Sequence, residues 1–281
     1  MSRHVLIELT GQAVVADDRG VDEMWMLDEL AHAGPEHLDE KFIAGFDRKQ
    51  GYPDPAADIA AFTALGLDGT STVVDLGAGT GQFAIPAGRR FGRVIAVDVS
   101  TAMLAALRAK AGDKANATPG GAGLECVRGG FLSYSPGGPV DGVYTRNALH
   151  QVPDFWKVIA LRRIADMLRP GGVLRLLDLV FDFGPEEADA VFGDWFAHAA
   201  ANPADGYTAA DYAEHVRTEY STFRWLLEPM LAATGFEVTD VSYERRLYGA
   251  YTCVKTGASP ATPGPADQQP IPRNGKDSHR G

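Results

Sequence analysis

Hydrophobic positions between residues 71 and 180 alternate between strand-like runs and helical spacing. The β-branched run STVVDL at 71–76 is too short for a helix and is flanked by glycines, which is typical of a buried strand. TAMLAALRAKA at 101–111 has the composition and spacing of a helix. The same reasoning predicts further strands in RVIAVDVS, LECVRGGF, VDGVYTRNAL and GVLRLLDLVF, and further helices in GQFAIPAGRRF and at 155–168. Regular strand–helix alternation predicts an α/β fold, a doubly wound, mostly parallel sheet with right-handed crossovers.

The flanking segments follow other patterns. Three helices are predicted within 1–70, from Val21 to His32, in HLDEKFIAGF and in DIAAFTALGL, so we expect an N-terminal helical lid region there. The core is predicted at 71–256, with a helical cap insertion at about 184–220 and a C-terminal antiparallel hairpin closing the sheet edge. The proline-rich, polar stretch 257–281 predicts a disordered tail.

Composition narrows the classes of partner. The chain has 281 residues, 45% of them hydrophobic and 22% charged, as in an ordinary globular protein. Its net charge of −11 argues against a nucleic acid partner. The N-terminal apolar run is interrupted by Glu8 and is too short for a secretion signal or a membrane span, which predicts a cytoplasmic protein without a membrane partner. Cys126 and Cys253 form no metal or disulfide pattern.

A glycine-rich turn follows the first predicted strand in VVDLGAGTGQF. Open α/β sheets bind ligands where a strand gives way to a helix, and Gly77, Gly79 and Gly81 would let a ligand approach the backbone. Asp98 ends the next strand about 20 residues further on, the spacing at which an acid meets ribose hydroxyls. Gln82 stands where a dinucleotide site would have its third glycine. These features predict a ribose-containing ligand other than a dinucleotide.

Several motifs in order resemble one family. DLGAGTG is similar to the first motif of the class I S-adenosylmethionine-dependent methyltransferases, and VIAVDVS resembles their ribose-binding strand end. DGVYTRNALHQVPD resembles their DxVxxxxxLHHxxD pattern, and LRPGGVLRLLD also matches. The resemblance spans roughly 45–255. It implies S-adenosylmethionine as cofactor, S-adenosylhomocysteine as product, and O-, N- or C-methylation of a small-molecule acceptor.

The resemblance also implies which residues hold the cofactor. Asp75 and the glycine turn would surround its methionine part, Asp98 its ribose and Val99 its adenine. The full implied set is Phe46, Tyr52, Asp75, Gly77, Ala78, Gly79, Thr80, Gly81, Asp98, Val99, Gly130, Phe131, Asn147 and Ala148. One departure stands out, because many members have an acid near the adenine amine where this chain has Gly130. Phe131 or a main-chain group is expected to contact adenine instead.

Candidate catalytic and substrate-binding residues follow the fourth predicted strand and occur in the predicted cap. His150 is the candidate general base, since it follows that strand near the expected methyl position; capping or pocket shaping is its alternative role. The predicted substrate-binding residues are His150, Trp195, Tyr207 and Tyr220, from a larger cap set that adds Tyr212, His215 and Trp225. Core packing is the competing explanation for each aromatic. Arg217 and Glu219 are either surface charges or substrate-facing groups.

No metal site is expected, because Asp141, Asp178 and Asp182 lack a ligand spacing. Two other functions remain open on sequence grounds. A non-catalytic S-adenosylmethionine-binding or regulatory protein is suggested by the missing acid at Gly130, and a nicotinamide-dependent oxidoreductase is disfavoured by the turn. The acceptor, and whether the protein is a monomer or a homodimer, are left undetermined by the sequence.

Overall fold

The computed structural model describes residues 25–34, 37, 39–51, 53–112 and 123–257. The predicted tail beyond 257, Tyr52 and the first part of the N-terminal lid region lie outside these residues. Within them, no helix has both the length and the apolar character needed to cross a membrane.

One mixed sheet forms the centre of the molecule. Its strands follow the order β3-β2-β1-β4-β5-β8-β7, and the two-residue β6 pairs with β5. The first five strands in that order are parallel, while β8 runs antiparallel to both β5 and β7. The strands are β1 Thr72–Leu76, β2 Arg93–Asp98, β3 Gly123–Arg128, β4 Val140–Arg146, β5 Leu168–Phe181, β6 Thr222–Phe223, β7 Phe236–Glu244 and β8 Tyr248–Lys255.

This topology confirms the predicted doubly wound sheet and its antiparallel hairpin. β1 lies between β2 and β4, so the crossover direction reverses there and a crevice opens at the carboxyl ends of these strands. The glycine turn follows β1 directly and therefore lies at this switch point.

Among the described residues, helices surround the sheet, three of them before β1 and three more between β5 and β7. They are α1 Glu29–His32, α2 Glu40–Lys49, α3 Ala56–Ala64, α4 Ala84–Ala87, α5 Thr101–Ala111, α6 Asp154–Met167, α7 Ala188–Ala197, α8 Ala209–Thr218 and α9 Arg224–Ala233. Two sequence predictions were too long. The helix after the glycine turn has only four residues, with Pro86 inside it and Gly88 as its C-cap. In the first lid helix, α1 begins only after Asp28, whose side chain accepts the N–H groups of Leu30 and Ala31.

The parallel strands are apolar on both faces because helices cover both. Val73, Val74 and Leu76 of β1 are fully buried. A buried polar network also ties α3 to the sheet. Arg175 Nε donates to Asp58 Oδ1 at 2.9 Å, and the Tyr144 hydroxyl donates to Asp58 Oδ2 at 3.1 Å. With its charge paired and hydrogen-bonded, Asp58 fixes the position of α3 against the sheet.

Candidate functional site

The turn after β1 brings bare backbone to the crevice. Gly77, Gly79 and Gly81 all have left-handed φ angles, of +75°, +51° and +86°. A Cβ on Gly77 would lie 2.5 Å from the Cβ of Ala148, the residue that follows β4 and Asn147. Gly77 therefore permits both the turn and the close approach of the two strand ends.

Two buried carboxylates flank this turn. Asp75 is 2% exposed and lies in β1, and its burial, together with the nearby charge of Asp98, raises its pKa well above the usual range. Asp98 ends β2, and its two oxygens accept the N–H groups of Gly79 and Ser100, each at 2.8 Å. Burial also raises the pKa of Asp98, although these two hydrogen bonds oppose the shift. The crevice therefore presents negative charge that is incompletely compensated by the protein.

The N-terminal lid is attached to the glycine turn through Asp47 of α2. Its carboxylate accepts hydrogen bonds from Thr80, from Gln82 Nε2 at 3.1 Å and from Lys110. Although burial opposes ionisation, these donors lower the pKa of Asp47. The preceding residue, Phe46, lies over Gly79, where an added Cβ would be 3.6 Å from its ring. α2 thus covers the turn and supplies an aromatic face.

A second carboxylate from the lid lies beside Gly130. A Cβ at Gly130 would be 2.7 Å from Cδ of Glu29, so Glu29 occupies the space of a larger residue there. Ser133 Oγ donates to its carboxylate at 3.0 Å, and the N–H groups of Leu132 and Phe131 also bond to it. Burial raises the pKa of Glu29 despite these donors. The acid missing from the segment after β3 is therefore replaced in space by one from α1.

The opposite end of the crevice carries a cluster of imidazoles and carboxylates. His150, in the 3₁₀ turn at Leu149–Gln151, contacts the Asp178 carboxylate through Nδ1 and lies 3.0 Å from Glu219 Oε2 through Nε2. Nδ1 of His215 contacts the same Glu219 oxygen, and its Nε2 is 2.7 Å from Ser221 Oγ. Burial alone would lower the pKa of His150, but the two carboxylates raise it to about 9.

Aromatic side chains from the cap form a wall beside this cluster. Trp195 is 3% exposed, stacks on Tyr212 with ring centroids 4.2 Å apart, and lies 6.4 Å from the His215 ring. The Tyr207 hydroxyl accepts from Gln50 Nε2 at 2.9 Å, so the cap and the lid meet there. The cap helices thus approach the strand ends and close one side of the crevice.

The glycine turn, the strand ends, the lid and the cap surround one cavity of about 950 Å³. Most of the predicted site residues line it, namely Phe46, Asp75, Gly77, Ala78, Thr80, Asp98, Val99, Gly130, Phe131, Asn147, Ala148, His150, Trp195 and Tyr207. Gly79 and Gly81 shape the turn from behind, since a Cβ on Gly81 would meet Leu107 and Ile85. The Tyr220 ring lies away from the cavity, 39% exposed and 5.8 Å from the His32 ring.

Residues 73–172 match a family model described as a methyltransferase domain. This segment of the chain has the sequence pattern of a methyltransferase domain. Among solved structures, it is similar to magnesium protoporphyrin IX methyltransferase from Synechocystis PCC 6803 with bound SAH (17% identity, TM-score 0.53, 76% of this chain and 84% of that one). It is also similar to a cyclopropane synthase from Mycobacterium tuberculosis (17% identity, TM-score 0.53, 71% of this chain and 83% of that one). A third similar structure is an S-adenosylmethionine-dependent methyltransferase from Mesorhizobium loti (19% identity, TM-score 0.50, 72% of this chain and 99% of that one). At these identities the structures establish the fold of the domain. No curated protein gives a significant match.

Sequence reasoning missed some residues of this cavity. Glu29 carries no local motif, and its proximity to Gly130 arises only from how α1 lies over β3. Asp178 had one available signal, because it lies near the carboxyl end of a buried strand, as Asp75 does. His215 and Glu219 are four residues apart, so the sequence indicates that they lie on one face at the end of a helix. That spacing does not indicate that His150 lies next to them.

Proposed function

We propose that this chain is an S-adenosylmethionine-dependent methyltransferase that acts on a small-molecule acceptor. The supporting observation is the pair of buried carboxylates, Asp75 and Asp98, on either side of a glycine turn at the switch point of the sheet. The backbone there adopts angles that keep side chains out of the crevice. S-adenosylmethionine carries positive charge that would balance these carboxylates, and the glycine turn leaves room for it to approach the backbone.

Asp75 is the residue that best supports the binding of S-adenosylmethionine in this crevice. Its buried carboxylate accepts the Ala84 N–H and lies near a second negative charge at Asp98. A cationic amino group placed beside it would compensate the cost of desolvating that carboxylate. The amino group of the cofactor's methionine part has this charge. Asp75 and the turn would hold that part of the ligand.

The ribose and adenine would lie along the ends of β2 and β3. Each Asp98 oxygen already accepts one backbone N–H and retains a lone pair for a hydroxyl donor. Val99 and Phe131 line the cavity on either side of this position. We assign to Glu29 the role of the acid that Gly130 cannot supply, since its carboxylate lies in that space.

When bound, S-adenosylmethionine supplies a methyl group on a cationic sulfur, and the electron pair of the broken carbon–sulfur bond stays on that sulfur. The chain must then bring an acceptor atom into line and exclude water. Asn147 and Ala148 would lie below the sulfur, and Trp195 with Tyr212 would hold the acceptor. His150 as general base stays a prediction, and its two partnered ring nitrogens and raised pKa mean that it would first have to release a proton.

A small acceptor suits the dimensions and the charge of the site. A cavity of about 950 Å³ is of the size that binds small ligands. The lid covers one side and the cap another, and they meet at Gln50 and Tyr207. A long polymer would have to displace one of them, and a polynucleotide would also meet the net charge of −11.

Calorimetry with S-adenosylmethionine and S-adenosylhomocysteine tests the proposal directly. We expect the wild-type chain to bind both, and Asp98→Asn to weaken binding about tenfold or more, because a neutral amide is a poorer acceptor for hydroxyls. Asp189→Asn, on the exposed start of α7, is the matched control and should bind as wild type does. No binding by the wild-type chain at millimolar ligand would refute the proposal.

Transfer of a labelled methyl group into a small-molecule metabolite extract tests catalysis separately. Label in extract components is the expected result. Cofactor binding without transfer to any component would favour the non-catalytic alternative suggested by Gly130.

A further inference from the structure

We propose that His150, His215 and Glu219 form a binding site for a divalent transition-metal ion at the acceptor end of the cavity. The three residues come from two places: His150 lies in the turn after β4, while His215 and Glu219 lie at the end of α8 and just after it. Each offers one ligand atom, and these atoms all lie within 4.8 Å of one another. Two imidazole nitrogens and one carboxylate oxygen are a common ligand set for first-row transition metals.

The outer nitrogen of each imidazole is held by another group. Nδ1 of His150 contacts one oxygen of the Asp178 carboxylate. The other oxygen accepts the backbone N–H of His150 at 3.0 Å. Asp178 is itself oriented, since the Leu179 N–H donates to it at 2.8 Å. Nε2 of His215 is 2.7 Å from Ser221 Oγ. Such partners fix the tautomer of a metal-binding histidine, and here they direct the remaining nitrogens toward Glu219.

The Glu219 carboxylate is poorly satisfied by hydrogen bonds alone. Its Oε2 is buried and has no hydrogen-bond partner with acceptable geometry, although Nε2 of His150 and Nδ1 of His215 both contact it. Both nitrogens are within hydrogen-bond distance of this oxygen, but they are misaligned, and hydrogen bonds weaken steeply when misaligned. A cation shared by the three ligand atoms would satisfy this oxygen without requiring either N–H to point at it.

The charges of the cluster also suit a divalent ion. Asp178 and Glu219 contribute two negative charges within a largely buried region, and the imidazoles would contribute none once they bind a metal ion in their neutral form. A divalent cation would balance both carboxylates, whereas a single imidazolium at His150 would balance only one. Two imidazole ligands favour Zn²⁺, Fe²⁺, Co²⁺ or Ni²⁺ over Mg²⁺, which prefers oxygen ligands.

A metal ion there would face the acceptor. His150, His215 and Glu219 line the same cavity as Asn147 and Trp195. Three protein ligands leave coordination positions open, which an oxygen atom of the acceptor would occupy. Coordination lowers the pKa of a bound hydroxyl group, so the acceptor class would be phenols, hydroxy acids or oxo acids with a metal-binding oxygen. This step rests on the proposed function, whereas the metal site does not.

Titration of the full chain with Co²⁺ after treatment with a chelator tests the site in the absence of S-adenosylmethionine. We expect one equivalent of Co²⁺ to bind, with visible absorption of a nitrogen-ligated ion, and Zn²⁺ to displace it. His215→Ala and Glu219→Gln should each weaken Co²⁺ binding about tenfold or more. The matched control is His198→Ala, because His198 also lines the cavity but its side chain is 53% exposed and lies outside the cluster.

Three results would overturn the metal site. They are no Co²⁺ or Zn²⁺ binding by the wild-type chain, binding by His215→Ala and Glu219→Gln equal to wild type, or an equal loss in His198→Ala. Circular dichroism and calorimetry with S-adenosylmethionine on the same variants show whether they are folded. Failure of the wild-type chain to bind S-adenosylmethionine would refute the proposed function and leave the Co²⁺ titration interpretable.

Discussion

Replacing Gly77 by alanine tests the central geometric claim, that the glycine turn permits two strand ends to approach. Two separate costs are expected. The left-handed backbone at φ +75° costs an L-residue about 1–2 kcal/mol. The new Cβ would lie 2.5 Å from Cβ of Ala148, and relieving that overlap costs about 1–3 kcal/mol. Gly77→Ala should therefore lower the free energy of unfolding by about 2–5 kcal/mol.

A double-variant cycle separates the two costs. Ala148→Gly removes the atom that the new methyl group would meet, but it leaves the backbone angle at position 77 unchanged. The pair Gly77→Ala with Ala148→Gly should therefore be less unstable than the sum of the single changes, by a coupling energy of about 1–3 kcal/mol. The remaining destabilisation measures the backbone cost and the loss caused by the new glycine.

Urea unfolding of the four chains, followed by circular dichroism, supplies the free energies. Gly193→Ala is the control, because Gly193 lies inside α7 and a Cβ there would meet nothing within 4 Å. It should stabilise the protein by about 0.5–1 kcal/mol. A coupling energy below about 0.5 kcal/mol would refute the claim that position 77 is restricted by Ala148.

Three further predictions concern the cavity. Asp75→Asn should raise the unfolding free energy of the ligand-free protein by about 1–3 kcal/mol while abolishing S-adenosylmethionine binding by calorimetry. Because the pKa of Asp75 is raised in the folded state, wild-type stability should fall as pH rises from about 4 through the raised pKa; urea unfolding with the same pH slope for Asp75→Asn would contradict this. Glu29→Ala should weaken S-adenosylmethionine binding about tenfold, equivalent to 1.4 kcal/mol, and adding Gly130→Asp should restore it; no recovery in calorimetry would show that position 130 and Glu29 are not interchangeable. Thr208→Ala removes the N-cap of α8 and should cost about 1 kcal/mol in urea unfolding, and an unchanged midpoint would contradict that role.

In the proposed cofactor half of the site, the sequence could predict which residues lie together because their determinants are local. Asp75, the glycine turn and Asp98 lie at the ends of consecutive buried strands, and parallel strands bring their carboxyl ends to one edge. The pattern of hydrophobic residues therefore predicted the strands, and the parallel pairing of these strands places the residues together. A helix was predicted at α4, but its short length was not, because helical spacing continues past Ala87 although Gly88 ends the helix.

The acceptor half could not be predicted in the same way. His150 meets Glu219 only because the cap returns α8 to the end of β4, and no period or spacing in the sequence encodes that return. Likewise, Glu29 reaches Gly130 through the path of the lid across β3. Tyr220 was predicted from its position in the cap to contact substrate, and its ring lies outside the cavity beside His32.

The division between these halves bears on where specificity resides. The family match covers 73–172, which includes the turn, both strand-end acids and His150. Trp195, His215, Glu219 and Glu29 all lie outside it, on the lid and the cap. Lid and cap also contact each other, since Lys49 lies 4.9 Å from the Tyr207 ring centroid. On the proposed function, the sheet and the lid would hold the cofactor and the cap would complete the acceptor end, so substitutions in the cap should change acceptor choice without changing cofactor affinity.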